Sequence, residues 1–247
     1  MKVLLYDGSF YGLLTAIYHG FYMKEKDIKL YIKDTYKPNF LNMEFYINTE
    51  ETKALKVYNS INDKLGKKIL TNVYYLHLAD GDEIPTLIFK YLKLAFKYGA
   101  EISLAKNNDI IIDVDKYRRR VSLEAHRFTG FVRFKAIGEN HYYSMISPDH
   151  NILPLIINHF VNRFRNQNFI IHDTKRELAI IYNMSQGIIT DFSKDQGNYF
   201  FHNSFDKNYE NLWKTFYCSV NIVERNNPRL QKSYMPSRYF KNLTELD

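Results

Sequence analysis

The chain has 247 residues, 45% of them hydrophobic, and a formal net charge of +7. Its 18 Phe and 21 Tyr can build a substantial core, so the composition excludes global disorder. A single cysteine, Cys218, excludes an intrachain disulfide, and neither a signal peptide nor a membrane-spanning segment is recognisable. We therefore expect a cytoplasmic protein that makes no membrane contact.

The first part of the chain, residues 1–120, is predicted to be mainly helical. Short apolar runs predict strands at residues 3–6, 28–32 and 45–47. Apolar residues at helical spacing predict helices that begin near Ser9, Thr49, Ile69, Pro85 and Asp109. The Asp7-Gly8-Ser9 turn is expected to cap the first helix, with anion binding at that helix terminus as the alternative.

The pattern changes in the second part, residues 121–247. It predicts, in order, strands at 128–137 and 142–147, a helix at 153–164, strands at 169–172, 178–182 and 188–192, a polar loop at 195–208 and a helix at 209–223. We therefore predict an α+β fold. The helical N-terminal part packs on a C-terminal antiparallel ββαββ(β) sheet with a trailing helix and an irregular basic tail. The two parts are expected to pack tightly, with a single domain as the alternative.

Arginine is distributed unevenly along the chain. Residues 1–115 contain 15 Lys and 15 acidic residues, whereas residues 116–247 contain 19 basic and 12 acidic residues, including all eleven arginines. A guanidinium group binds phosphate through paired hydrogen bonds and stacks on rings. The distribution therefore favours a polyanionic ligand for the second part, with pairing to local carboxylates as the alternative.

Two segments are candidates for contact with nucleic acid. Arg127, Arg133 and Lys135 occupy alternate positions of the predicted strand at 128–137, so they are expected to share one face with Phe131. Residues 224–241 contain five basic residues and one acidic residue among amides and aromatics. The candidates in this tail are Arg225, Arg229, Gln231, Arg238 and Lys241. The alternatives are a solvated sheet surface and a tail that packs Leu230, Met235 and Phe240 on the core.

Acid–base candidates are fewer and weaker. Glu124 and His126 lie together at the predicted helix-to-strand junction, and His172 and Asp173 end an apolar strand. Each can equally be a structural hydrogen-bonding residue. No histidine pair has the spacing of a helical zinc site, so we expect no metal and no cofactor.

Several of these segments together resemble a bacterial family. They are residues 6–10, residues 124–134, the Ile170-Ile171-His172-Asp173 run with Arg176, and the tail at 224–241. The family comprises uncharacterised proteins associated with DNA metabolism or DNA repair. The resemblance implies a radical-SAM partner protein, and in some members fusion to a uracil-DNA-glycosylase-like domain. It implies no catalytic residues.

Three hypotheses about function follow. The leading one is a DNA-binding accessory protein of a repair or modification system, which presents DNA to a radical-SAM or glycosylase-type partner. The second is an enzyme acting on DNA (a lyase, nuclease or glycosylase), which requires Glu124, His126, His172 and Asp173 to converge in one pocket. The third is a protein-binding subunit whose basic face docks an acidic partner.

Overall fold

The computed structural model describes residues 1–23, 27–202 and 227–243, together with residues 212, 215, 216, 219 and 220. The chain divides into two compact units, unit 1 (residues 1–122) and unit 2 (residues 123–247). Both combine helices with a β-sheet, so the architecture is mixed α/β. In the described parts of the chain, no helix is both long enough and apolar enough to cross a membrane.

Unit 1 contains a three-stranded parallel sheet in the order β2-β1-β3. Its strands are β1 (Lys2–Tyr6), β2 (Ile28–Ile32) and β3 (Met43–Tyr46). The central strand β1 is buried from Val3 to Tyr6, as expected for a parallel strand with neighbours on both sides. The three short strands predicted from the apolar runs are confirmed.

Helices follow these strands at the predicted places. They are α1 (Phe10–Tyr22), α2 (Glu51–Leu65), α3 (Lys67–His77) and α4 (Ile84–Tyr98), with a short 3-10 helix at Ala100–Leu104. A fifth helix, α5 (Asp109–Phe131), begins in unit 1 and ends in unit 2. The hydroxyl of Ser9 accepts a hydrogen bond from the Gly12 amide at 2.9 Å, which confirms the predicted helix cap. The hydroxyl of Thr86 in α4 bonds both the amide and the carbonyl of Leu30, at 3.0 Å each, and ties α4 to β2.

Unit 2 contains a five-stranded sheet in the order β4-β5-β6-β7-β8. Its strands are β4 (Lys135–Gly138), β5 (His141–Ile146), β6 (Asn168–Asp173), β7 (Leu178–Asn183) and β8 (Gly187–Asp191). The chain order ββαβββ agrees with the prediction, but the sheet is mixed and not purely antiparallel. Strands β5 and β6 run parallel because helix α6 (Leu153–Arg163) returns the chain between them.

The two faces of this sheet are covered differently. On one face, Phe169 and Ile171 pack with α6 and with Phe128 of α5. On the other, Ile170 and Tyr143 pack with Phe200 of helix α7 (Lys194–His202). Successive residues of a strand point to opposite faces, so neighbouring residues of β6 belong to different environments.

Two predictions for the second part were wrong in detail, and a third falls mostly on residues that the structure does not describe. The strand predicted at 128–137 is the end of α5 followed by the short β4, because Val121, Ala125 and Phe128 continue the helical spacing. The first part of the polar loop predicted at 195–208 is α7. The predicted helix at 209–223 lies mostly outside the described residues, and so do Trp213 and Cys218; its five described residues are helical.

The tail is also more regular than predicted. Residues 228–234 form helix α8 (Pro228–Tyr234), and a 3-10 helix follows at Ser237–Asn242. Pro228 opens α8 and does not extend the chain, because a proline at the first helical position loses no hydrogen bond. The side chain of Asn227 caps the helix by accepting from the Leu230 amide at 3.0 Å.

Candidate nucleic-acid interface

Helix α8 is a strongly basic and exposed element of unit 2. None of its residues is buried, and Tyr234 is 69% exposed. Arg229 and Lys232 are exposed one turn apart. Residues 227–243 contain four basic residues and no acidic residue. The helix therefore presents cationic groups and an aromatic ring to solvent together.

Arg127 contacts the last turn of α8. Its Nη2 donates a hydrogen bond to the main-chain carbonyl of Ser233 at 3.1 Å. Carbonyls in the last turn of a helix lack intrahelical partners and carry partial negative charge, so a guanidinium there satisfies the helix terminus. Because Arg127 lies on α5, and not on a strand, the predicted shared face of Arg127, Arg133 and Lys135 does not form.

Arg238 lies between an aromatic ring and a carboxylate. Its guanidinium stands 4.8 Å from the ring centroid of Tyr239, and its Nη2 lies 2.6 Å from Oδ2 of Asp149. The Arg238 and Asp149 side chains are 55% and 46% exposed. An ion pair so open to water competes weakly with a phosphate, so Arg238 stays available to an anionic ligand.

The tail is anchored by Tyr239, which is 2% exposed. Its ring packs edge-on against Phe128 with centroids 4.9 Å apart, and its hydroxyl donates to Glu124. Burial, and then the hydrogen bond to Glu124, raise the pKa of Tyr239. The hydroxyl therefore stays protonated and remains a donor. Of the three residues in the packing alternative, Leu230 is 53% exposed, whereas Met235 and Phe240 are half-buried. The fully buried residues of the tail are Tyr239 and Leu243.

Glu124 acts as a structural acceptor. Its carboxylate, 5% exposed, accepts from the amides of Asp149 and His150 at 2.7 and 2.8 Å as well as from Tyr239. Three donors converge on the two oxygens, so the carboxylate joins α5, the loop after β5 and the tail. Donors of the fold therefore occupy three of about four acceptor positions of this carboxylate.

Asp173 is equally committed to structure. It is fully buried, and its Oδ2 lies 2.9 Å from Nη1 of Arg176. The Arg176 guanidinium also donates to the main-chain carbonyls of Pro148 and Asp149, at 3.2 and 2.5 Å. The pair closes the turn after β6 onto the loop after β5. Arg176 is therefore a structural residue.

His172, next to Asp173, lies on the opposite face of the sheet. It is fully buried, and its Nδ1 is 2.8 Å from the hydroxyl of Tyr143. Burial lowers the pKa of His172, with the charge of Asp173 and the backbone of Phe192 opposing the shift. The Nε2 atom is buried and makes no close hydrogen bond. A Cβ on Gly197 of α7 would stand 2.5 Å from this Nδ1, so the helix backbone lies directly against the pair.

The four acid–base candidates therefore do not form one pocket. Glu124 accepts from the loop after β5, and Asp173 binds Arg176, which donates to the same loop, whereas His172 packs under α7. His126 is exposed on α5. Among the described residues, no group of three or more His, Cys, Asp or Glu side chains could hold a metal ion.

The remaining predicted basic residues have varied positions. Arg133 follows α5 and donates to the carbonyl of Gly130 at 2.7 Å, and Lys135 begins β4. Gln231 lies half-buried on α8. Arg225 and the side chain of Lys241 lie outside the described residues.

Sequence reasoning missed two groups of residues. Lys232 and Tyr234 belong to the exposed face of α8 and could have been found from the tail composition once a helix was assumed. Tyr239 could not, because its role depends on a partner far away in the chain.

A comparison with protein families gives one match. The domain of unknown function DUF4130 matches residues 82–245, which is 164 of the 247 residues. The chain belongs to the DUF4130 family. The matched region contains α4, α5, the whole described part of unit 2 and therefore every residue of the candidate interface. No curated protein and no solved structure matches the chain.

Proposed function

We propose that this DUF4130 protein is a DNA-binding accessory protein of a repair or modification system. The observation that carries the proposal is helix α8, which exposes Arg229, Lys232 and Tyr234 together. Arg127 donates a hydrogen bond to the last turn of this helix, and the half-exposed Arg238 comes shortly after the helix in the chain. DNA is the polyanion that such a surface suits, because guanidinium and ammonium groups bind phosphates and a tyrosine ring stacks on bases.

The acid–base candidates give less support to an enzyme. Glu124 and Asp173 have their oxygens engaged by donors of the fold, and His172 lies beneath α7. An accessory role needs no such group. By family resemblance, the proposed partners are a radical-SAM protein or a uracil-DNA-glycosylase-like protein, which would perform the chemistry on the DNA held by the α8 surface.

The proposal is tested by titrating the full chain into labelled single- and double-stranded DNA over a range of salt concentrations. Binding at low salt should weaken steeply as salt rises, because each neutralised phosphate releases counterions. The variant Arg229→Gln/Lys232→Gln should weaken binding and reduce the slope of log K against log salt by about 1 to 2.

The matched control is Lys67→Gln/Lys68→Gln, which removes the same charge from exposed positions of α3. It should leave affinity and slope close to those of the wild type. Equal losses of affinity in the two variants would show that binding depends on net charge and not on the α8 surface. Absence of any DNA binding at low salt would rule out the proposed function. Co-purification with an acidic protein that persists after nuclease treatment would then favour the protein-binding alternative.

A further inference from the structure

Unit 1 has a groove whose lining combines aromatic rings with lysines. It has a volume of about 540 Å³, within the range of small-ligand sites. Helices α1, α2 and α4 supply its main lining, namely Tyr18, Phe21, Tyr22, Phe96, Lys56 and Lys64. Phe21 meets Phe96 edge-on at 5.4 Å, and the rings of Tyr18 and Tyr22 are 4.7 Å apart. The groove therefore has aromatic walls.

The rings are open to an incoming ligand. Tyr22 is 74% exposed and Phe21 is 38% exposed, although both lie on a helix whose other face is buried in the core. Contiguous exposed aromatic surface that is rimmed by polar residues is a feature of interaction sites. A planar ligand could stack on Tyr22 and contact Phe21 from the side.

The charged side chains in the described lining of the groove are two lysines. Lys56 and Lys64 are exposed on α2, eight residues apart, which is about 12 Å along the helix axis. Lys56 is close enough to Tyr22 to lower the pKa of its hydroxyl, although the hydrogen bond with Tyr18 is the larger influence and raises it. Among the described residues, no acidic side chain lines the groove. Lys53, one turn before Lys56, does not line the groove, and its Nζ pairs with Oε1 of Glu50 at 2.6 Å.

We propose that this groove binds an unpaired nucleotide of a single-stranded nucleic acid, with the base against Tyr22 and Phe21 and the backbone phosphates at Lys56 and Lys64. The amide of Asn59 and the hydroxyl of Ser60 line the same groove and supply hydrogen bonds for a base edge. Stacking with flanking cations is how sequence-tolerant single-strand sites work. The site deepens the proposed function, but its residues belong to unit 1, and most of them precede the region matched by the DUF4130 family.

Nucleic acid suits the groove better than a hydrocarbon chain. A fatty acid carries one charge at one end and no hydrogen-bonding groups along its length, so it would use one lysine and make no hydrogen bond with Asn59 or Ser60. A nucleotide strand carries a phosphate at every residue beside a planar base. It therefore matches both lysines, the rings and the polar side chains at once.

The test compares the binding of a short oligothymidylate with that of an abasic strand of equal length and charge, both at low salt and with the full chain. Tyr22→Ala should weaken oligothymidylate binding about tenfold and leave the abasic strand unaffected, because only a base can stack. Lys56→Gln/Lys64→Gln should weaken both strands and reduce the salt slope by about 1. Thymidine monophosphate should displace the oligothymidylate from the wild type.

Two control variants test whether the loss of any exposed ring or of any two charges would weaken binding equally. Tyr98→Ala removes another exposed tyrosine of unit 1 that does not line the groove, and Lys67→Gln/Lys68→Gln removes equal charge from α3. Neither should reproduce the losses. Circular dichroism should show an unchanged fold for Tyr22→Ala, since the side chain lies mostly in solvent.

The outcomes separate this site from the α8 surface. If Tyr22→Ala binds oligothymidylate like the wild type while Arg229→Gln/Lys232→Gln does not, the groove proposal fails and the proposed function stands. If the reverse holds, the groove stands and the α8 surface fails. Saturable binding of decanoate that Tyr22→Ala abolishes, with no displacement by thymidine monophosphate, would assign the groove to an apolar ligand and overturn the inference.

Discussion

The hydroxyl of Tyr239 donates a hydrogen bond to the carboxylate of Glu124, joining two residues that are 115 positions apart in the chain. The same carboxylate accepts two main-chain amides of the loop after β5. One buried acceptor thus fixes the end of α5, this loop and the basic tail, and the exposed side of the tail depends on it.

The Glu124→Gln substitution should destabilise unit 2 by about 2 to 3 kcal/mol. All three partners of Glu124 are donors, and a glutamine amide would turn its NH₂ group towards one of them. Tyr239→Phe should cost less, about 1 to 2 kcal/mol, because its ring still packs against Phe128. Urea denaturation measures both. Tyr199→Phe, in an exposed tyrosine of α7, serves as the control, and a loss for Glu124→Gln no larger than for this control would contradict the anchoring role.

The Arg127→Ala substitution should loosen α8 without unfolding unit 2. It removes the donor to the Ser233 carbonyl in the last turn of the helix. A lost hydrogen bond of about 1 kcal/mol should accelerate amide hydrogen exchange in residues 231–235 several-fold. Exchange in β6 should stay unchanged and provides the internal reference. DNA affinity should fall in the same variant, and unaltered exchange in α8 would show that Arg127 does not hold it.

Gly197→Ala should destabilise the packing of α7 on the sheet. A Cβ there would lie 2.5 Å from Nδ1 of His172 and 2.6 Å from the hydroxyl of Tyr143, so the helix must move. Overpacking of this kind typically costs about 1 to 3 kcal/mol. Gly130→Ala is the matched control, because nothing lies within 4 Å of its added Cβ and alanine favours a helix by up to about 1 kcal/mol. Thermal unfolding should therefore shift in opposite directions in the two variants.

His77 should make unit 1 sensitive to acid. Burial lowers its pKa from 6.5 to about 4. The folded state therefore binds fewer protons than the unfolded state below pH 6.5, so this contribution to stability is complete above that pH and is lost as the pH falls towards 4. The loss amounts to at most about 3 kcal/mol.

The variant His77→Asn should flatten the dependence of unfolding free energy on pH between 6.5 and 4. His172, whose pKa burial also lowers, keeps its own dependence of the same sign in that variant. An identical curve for His77→Asn would show that His77 titrates normally in the folded protein.

Elements with a clear hydrophobic period could be predicted from sequence, and the ambiguous ones could not. Helices α2, α4 and α6 were predicted to within a few residues because their apolar faces and flanking glycines or prolines agree. The region from Phe128 to Phe134 was assigned to a strand because clustered aromatics favour strands as well as helices. The parallel pairing of β5 and β6 was also missed, although a helix between adjacent strands returns the chain to the same end.

The candidate site divides in a similar way. Composition alone located the basic tail, because charge and exposure go together on a surface. The partners of individual arginines could not be predicted from the sequence. Arg176 is a structural ion-pair partner and Arg238 a half-exposed one, and the difference comes from the burial of Asp173 against the exposure of Asp149. The groove of unit 1 could not be predicted from composition, because its lysines lie in a part of the chain whose charges balance.

The burial of Tyr239 and Leu243 has a consequence for how the protein is made. The ribosome synthesises the sheet of unit 2 before it synthesises the residues that complete the hydrophobic core. Until those residues emerge, Phe128 lacks its edge-on neighbour and Glu124 lacks one of its donors. Nascent chains at this stage expose apolar surface that is prone to aggregation, and unit 2 cannot complete its core until residues 239 and 243 have left the ribosome.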